Sequence, residues 1–291
     1  EVYIIVERKN IMPIHTKRGL KDLNLSDDFL FSKVMSDPEI SRLVLEKILN
    51  IEIERVEHVA AQKAINLRLE SKSVRLDVYV KDEKNTVYNV EMQNDKHPDE
   101  FHLPKRSRYY QGNIDLDFLQ KGKSYSELGK SFVIFICTFD PIGTGRYLYT
   151  FKNRCEEDLT LSLQDDRTII FLNTKGNQND VDESMREFLA YIENTTDTYA
   201  NQSHSSLVKL LNNKVSQVKH DKRLEVEWMT LSEIQERERQ KGFKEGVECG
   251  IEQGMKQRNI EIAKNLLDIL DDETIANKTG LSVEDVLELR K

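Results

Sequence analysis

The chain has 291 residues, 38% apolar and 32% charged, which allows a core and one large domain with appendages. A formal charge of −8 excludes a protein that coats nucleic acid by bulk charge, though local basic patches can still act. Cys137, Cys155 and Cys249 lie far apart without metal-ligand spacing, the pattern of reduced thiols in a cytoplasmic protein, and no run is apolar enough to span a membrane.

Residues 1–19 form an amino-terminal segment. EVYIIVERKN has no initiator Met, and its apolar run is too short for a signal peptide. The expectation is that translation starts at Met12 and that residues 1–11 are upstream sequence. Asp27 and Asp28 open a helical pattern, FLFSKVMSDPEISRLVLEKIL, broken at Asp37–Pro38. Ser36 or Asp37 can cap a second helix there, with Pro38 at its first position. IEIERVEHVAAQ reads as part strand and part turn. RLDVYVKDEKNTVYNVEMQ, Arg75 to Gln93, holds two alternating runs and reads as a half-buried hairpin. HPDEFHLPKRSRYYQGNIDLDFLQKG reads as a loop and a long helix ending near Gly122. SFVIFICTF is short, β-branched and aromatic, so it predicts a buried strand. RYLYTFKN and RTIIFLN are further strands, and VDESMREFLAYIEN and SLVKLLNNKVSQV are helices. This order predicts a mixed α/β domain over residues 20–200, then a helical connector over 201–226.

Residues 227–268 read as one long helix with Gly at 242, 246, 250 and 254. Phe243, Val247, Ile251 and Met255 each follow a Gly, so both sets form a slowly drifting stripe. Each interior Gly costs about 1 kcal/mol against Ala. A closely packed helix from a second copy, through residues 230–258, would explain that cost. A solvated, drifting repeat is the other reading. Residues 269–291 read as two short helices joined at Thr279–Ser282, resembling a helix-turn-helix. Gly280 suits the end of the first, and Ser282 with Asp285 suits a cap on the second. The second helix is acidic, so packing is expected of it rather than groove reading.

The hairpin poses the chemical question. Along a strand, alternate side chains share a face. Arg75, Asp77 and Tyr79 therefore project together, as do Val87, Asn89, Glu91 and Gln93. A loop of Asp82–Asn85 pairs Asp77 with Val90 and puts the two acids on opposite faces. A loop of Glu83–Asn85 pairs Asp77 with Glu91, with β-carbons about 5 Å apart. Two carboxylates that close repel unless a cation lies between them or one is protonated. Their oxygens suit Mg²⁺, which neutralises phosphodiester charge and lowers the pKa of its water. Gln93 on the same face can hold an attacking water, but it is neutral and cannot stabilise charge as a lysine does. An ordinary exposed hairpin face is the other reading of these residues.

DDFLFSKVM, RLDVYVKDEKNTVYNVEMQ, KRSRYYQGNIDLDFLQKGKSY and SFVIFICTF, in that order, resemble the Rpn family of recombination-promoting nucleases and putative transposases, within the PD-(D/E)XK superfamily. The resemblance covers roughly residues 20–200. It implies a restriction-endonuclease-like core, a mixed central sheet flanked by helices, with an α-helical carboxy-terminal extension. It also implies Mg²⁺-dependent hydrolysis of DNA phosphodiesters, with Mn²⁺ as a possible substitute. Asp77 takes the metal-binding aspartate position, Glu91 the second acid, and Gln93 the place of the superfamily lysine. Asp28 is a candidate for a further, helix-borne metal ligand, its other reading being a helix cap. Lys105, Arg106, Arg108 and Tyr109 follow the hairpin as a DNA-binding set, with Lys96, His97, Phe101 and Tyr110 nearby. The leading expectation is a DNA endonuclease of low sequence specificity, linked to recombination or mobile elements. The alternative is a weak or inactive nuclease fold that binds DNA or self-associates.

Overall fold

The computed structural model describes residues 18–65, 74–94, 102–119 and 121–290. The Met12 start, and Lys96, His97 and Phe101, lie outside the described residues. Two capped helices open the domain. The Asp27 carboxylate accepts the Phe29 N–H at 3.0 Å and starts α1 (Asp28–Met35). Of the two caps the sequence allows next, Asp37 is the one used. It accepts the Glu39 and Ile40 N–H groups and starts α2 (Pro38–Leu49). The Pro that follows lacks only an N–H that the first turn leaves unbonded anyway.

The stretch read as part strand and part turn is a ten-residue strand, β1 (Val56–Ile65). It is mostly exposed at the sheet edge, with Gln62 at φ 56°, so no clean alternation marks it. The hairpin consists of β2 (Val74–Asp82) and β3 (Val87–Gln93). Its turn is built by one side chain. Asp82 accepts the Lys84 N–H (2.9 Å), the Thr86 N–H (2.8 Å) and the Tyr88 hydroxyl (2.8 Å). Asn85 closes the turn at φ 61°, the left-handed residue that a three-residue hairpin loop needs.

The chain continues through α3 (Leu103–Phe118), β4 (Ser131–Cys137), β5 (Leu148–Phe151) and β6 (Arg167–Asn173). The six strands form one mixed sheet in the order β1-β2-β3-β4-β6-β5. Neighbours β1–β2 and β2–β3 are antiparallel, β3–β4 and β4–β6 parallel, and β5–β6 antiparallel. This places β3 near the centre, and every one of its residues is buried. The expected half-exposed hairpin is therefore corrected. The polar side of β3 lies in the same direction as Val133 and Phe135 of β4, beneath α3. Phe135 is fully buried, stacks on Phe171 at 5.4 Å between ring centres and meets Tyr110 at 6.1 Å. Phe135→Ala should cost about 3–5 kcal/mol, read as a lowered urea midpoint with an unchanged slope.

The other helices are α4 (Glu183–Glu193), α5 (Asp197–Gln202) and α6 (Ser206–His220). Within the segment read as a connector, α6 buries Leu207, Val208, Leu211, Val215 and Val218 and packs on α1, α2 and α4. That segment thus contributes to the core. Asp221 accepts the Arg223 N–H at 2.8 Å and starts α7 (Lys222–Leu266), 45 residues long. The chain divides into two compact units, Glu1–Trp228 and Met229–Lys291. In the second, α8 (Asp272–Thr279) ends at Gly280 with φ 75°, and Ser282 with Asp285 forms a capping box on α9 (Val283–Leu289). Ile275, Ala276 and Val286 bury against Ala263, so this hairpin packs on the end of α7. No helix among the described residues is long and apolar enough to cross a membrane.

Candidate active site

The register decides whether the two acids meet. Val78 lies opposite Val90, Tyr79 opposite Asn89, Val80 opposite Tyr88 and Lys81 opposite Val87. Continued by one residue, this sets Asp77 opposite Glu91, the register of the Glu83–Asn85 loop. At that point the backbone ladder gives way to side chains. The Asp77 N–H donates to Glu91 Oε1 at 3.1 Å, and the Met92 N–H donates to Asp77 Oδ2 at 3.1 Å. Each carboxylate thus bonds the opposing strand's backbone. This reciprocal clasp holds the two acids together more firmly than strand pairing alone would.

Glu91 is completely buried and Gln93 is 9% exposed. From α3, Arg106 reaches both. Its Nη2 donates to Glu91 Oε2 at 3.1 Å and its Nη1 to Gln93 Oε1 at 3.0 Å. Its Nε donates to the Tyr110 hydroxyl at 2.8 Å. The guanidinium also lies over the rings of Tyr110 and Phe135, at 5.0 and 5.6 Å. Gln93 Nε2 turns back to the Met92 carbonyl at 2.7 Å.

Asp28 begins α1 at the same end of the sheet, where the Ser26 carbonyl accepts the Asn94 amide. Asp27, not Asp28, supplies the helix cap, and Asp28 is an acid in the first turn, where a negative charge suits the helix N-terminus. Asp28 is exposed, yet its carboxyl is pushed up to about 6, by partial desolvation first and by the charge of Asp77 second. Burial raises Asp77 as well, against the Met92 N–H and Arg106. Burial and then Asp77's charge raise Glu91, with the Asp77 N–H and Arg106 opposing. Burial is thus the first cause in all three, and the charge of Asp77 adds to it at Glu91 and Asp28.

This donor chemistry fits a hard divalent cation. Carboxylate oxygens suit Mg²⁺, which keeps several waters and needs only one or two protein carboxylates. A cation beside them also favours the charged carboxylates, against the burial and, at Glu91 and Asp28, the Asp77 charge that raise them. Among the described residues, no group of three His, Cys, Asp or Glu side chains is placed to hold a metal ion; the carboxylates on offer are the clasped pair Asp77 and Glu91, with Asp28 coupled to Asp77 by charge.

The residues expected to meet DNA split. Arg106 turns inward to Glu91 and Gln93, while Lys105, Arg108 and Tyr109 are exposed on the outer side of α3. Tyr110, rather than Tyr109, shares Arg106's face, as its spacing of four residues allows. Tyr110, noted from sequence beside the basic set, anchors Arg106. Asn89 was given no role from sequence. Asn89 is fully buried on the Glu91 face, and its amide oxygen and nitrogen have no hydrogen-bond partner, though its dipole lies near enough to Glu91 to lower that carboxyl's pKa. Its signal was its alternation with Glu91 and Gln93.

Compared with curated proteins and with solved structures, the chain finds no match. The family model described as PD-(D/E)XK nuclease family transposase matches residues 25–227, a span containing the whole sheet and Asp28, Asp77, Glu91, Gln93 and Arg106. With that match and its mixed six-stranded sheet flanked by helices, the chain belongs to the PD-(D/E)XK nuclease family transposases.

Proposed function

We propose that this chain is a metal-dependent endonuclease that hydrolyses DNA phosphodiesters with little sequence choice, in recombination or in the movement of a mobile element. The observation that carries the reading is the clasp between Asp77 and Glu91, which holds two carboxyl groups together at buried positions. Asp77 and Glu91, with Asp28 coupled to Asp77 by charge, would hold Mg²⁺ or Mn²⁺. When bound, the ion neutralises phosphodiester charge and lowers the pKa of its water. The Gln93 amide orients the attacking water by hydrogen bond. Lys105 and Arg108, on the outer side of α3, meet backbone phosphates, and Tyr109 offers a stacking face. The compartment suggested by the three cysteines is the cytoplasm.

The test is cleavage of supercoiled plasmid, linear duplex, single-stranded DNA and RNA by the full chain, in Mg²⁺ and in EDTA. Cutting of DNA at scattered positions, only with the metal, is expected. Cleavage of RNA alone, or none of any substrate, would overturn the reading. The outer cations carry their own expectation. Lys105→Ala with Arg108→Ala should weaken binding equally across sequences and flatten the salt slope by about two, measured by fluorescence anisotropy across KCl concentrations.

Phe243, Val247, Ile251 and Met255 are all exposed along α7, and a Cβ at Gly242, Gly246, Gly250 or Gly254 would meet nothing. This supports self-association through residues 230–258. Sedimentation equilibrium should show a dimer or larger species that Val247→Lys disrupts.

A further inference from the structure

Hydrolysis of a phosphodiester adds negative charge at phosphorus, and a cation placed in advance lowers that barrier. The two acids lie on two strands. On β3 the position is the neutral Gln93, and on β2 Arg75, whose charge lowers Asp77, is bonded to Gln62 of β1. The cation that bonds Glu91 comes from another element. Arg106 is on α3, one turn before Tyr110, and three side chains fix it. Its Nε, Nη1 and Nη2 donate to the Tyr110 hydroxyl, Gln93 Oε1 and Glu91 Oε2.

We propose that Arg106 supplies the positive charge beside the Asp77–Glu91 pair and positions the Gln93 amide for the attacking water, rather than acting as an outer phosphate clamp. The proposal rests on the nuclease reading above. Three features support it. The first is placement. A clamp would stand on the outer side of α3 with Lys105 and Arg108, whereas Arg106 turns inward, its side chain 35% exposed. There the rings of Tyr110 and Phe135 exclude water from one side of the guanidinium, and a charge acts more strongly where water is excluded.

The second feature is donor count. Guanidinium has five N–H groups, and the three bonds to Tyr110, Gln93 and Glu91 take one from each nitrogen. Among the described residues, one N–H is left over on each terminal nitrogen. Two such donors on one planar fork match two oxygens of a phosphate.

The third feature is the orientation of Gln93. Arg106 can only donate, so the Gln93 oxygen must face it. The amide nitrogen is thereby turned to the Met92 carbonyl. With Arg106 in place, Gln93 presents one defined end to a water. Without it, the amide can rotate by half a turn and present the other. A salt bridge that served only to neutralise Glu91 would not need the bond to Gln93.

The test uses the full chain with Arg106→Met and with Gln93→Lys/Arg106→Met. Arg106→Met should slow single-turnover plasmid cleavage by ~100-fold or more, while DNA affinity at fixed salt changes less than ~10-fold. Titration with Mn²⁺ alone should show tighter binding in Arg106→Met, because a positive charge has left Glu91. Returning a cation from β3, as Gln93→Lys/Arg106→Met, should recover at least ~10-fold of the lost rate. Three results would overturn the proposal while leaving the nuclease reading intact. They are Arg106→Met cleaving as fast as the intact chain, Arg106→Met losing Mn²⁺ affinity, and the double variant recovering nothing. An intact chain that cuts no DNA in Mg²⁺ or Mn²⁺ overturns the nuclease reading and this proposal together.

Discussion

Asp77→Asn should give a protein that is more stable than the parent and inactive. Asp77 lies beside Glu91 in the clasp, and its charge raises the pKa of both Glu91 and Asp28. The substitution removes that charge and keeps the shape. An Asn oxygen can still accept the Met92 N–H that Asp77 accepts now, and the new amide N–H groups would face carboxylates rather than repel them. A gain of about 1 kcal/mol in metal-free buffer near pH 8 is expected, in the range seen for relieved strain at working sites. For a domain of this size that is a rise in Tm of ~2–4 °C. Cleavage should fall by ~1,000-fold, since several kcal/mol of charge stabilisation depends on a carboxylate there. A variant that melts lower than the parent in EDTA at pH 8 would show that Asp77 is structural cement, not a strained functional group.

The second large effect is a dependence of stability on pH that reverses the usual carboxylate behaviour. Most paired carboxylates have lowered pKa values and lose their contribution as pH falls. Here Asp28 is raised from 3.8 to about 6, and Asp77 and Glu91 are raised as well. A raised carboxyl keeps its proton in the folded state where the unfolded chain has released it. The folded state then binds more protons, and stability falls as pH rises. The stability these groups supply is complete below the ordinary carboxylate range. It is lost between pH ~4 and ~6 through Asp28, and further upward through the clasp. Metal-free Tm should therefore decline from pH 5 to pH 8, and millimolar Mg²⁺ should restore it at pH 8 far more than at pH 5. A flat or rising metal-free Tm across this window would contradict the assignment.

Much of this was legible in residues. The parity of the turn predicted that Asp77 and Glu91 share a face if the loop is odd, as with Glu83–Asn85, or if one strand carries a bulge. Asp82 and Asn85 are the residue types that build such a turn. The inward phase of Arg106 was also readable. It lies three residues after Leu103 and four before Tyr110, and both are buried, so all three share one side of the helix. The burial of β3 was not legible, because alternation of apolar and polar residues looks the same on a half-exposed strand. Here the polar set faces a helix instead of water. Local pattern and tertiary environment disagree at Asn89, Glu91 and Gln93, as they do at sites where function overrides packing. The strand β1 escaped for the opposite reason. It is an edge strand with little to bury, so His58, Gln62 and Lys63 carry no signal of period two. The helix α5 is only six residues long, too short to show a period.

The decisive measurement is Mg²⁺-dependent cleavage of supercoiled plasmid by the full chain beside Asp77→Ala and Glu91→Ala. The intact chain should nick or linearise the plasmid, and both variants should leave it supercoiled while still folded by circular dichroism. Cleavage by either variant at the parent rate would place the active site elsewhere and contradict the assignment of the clasp.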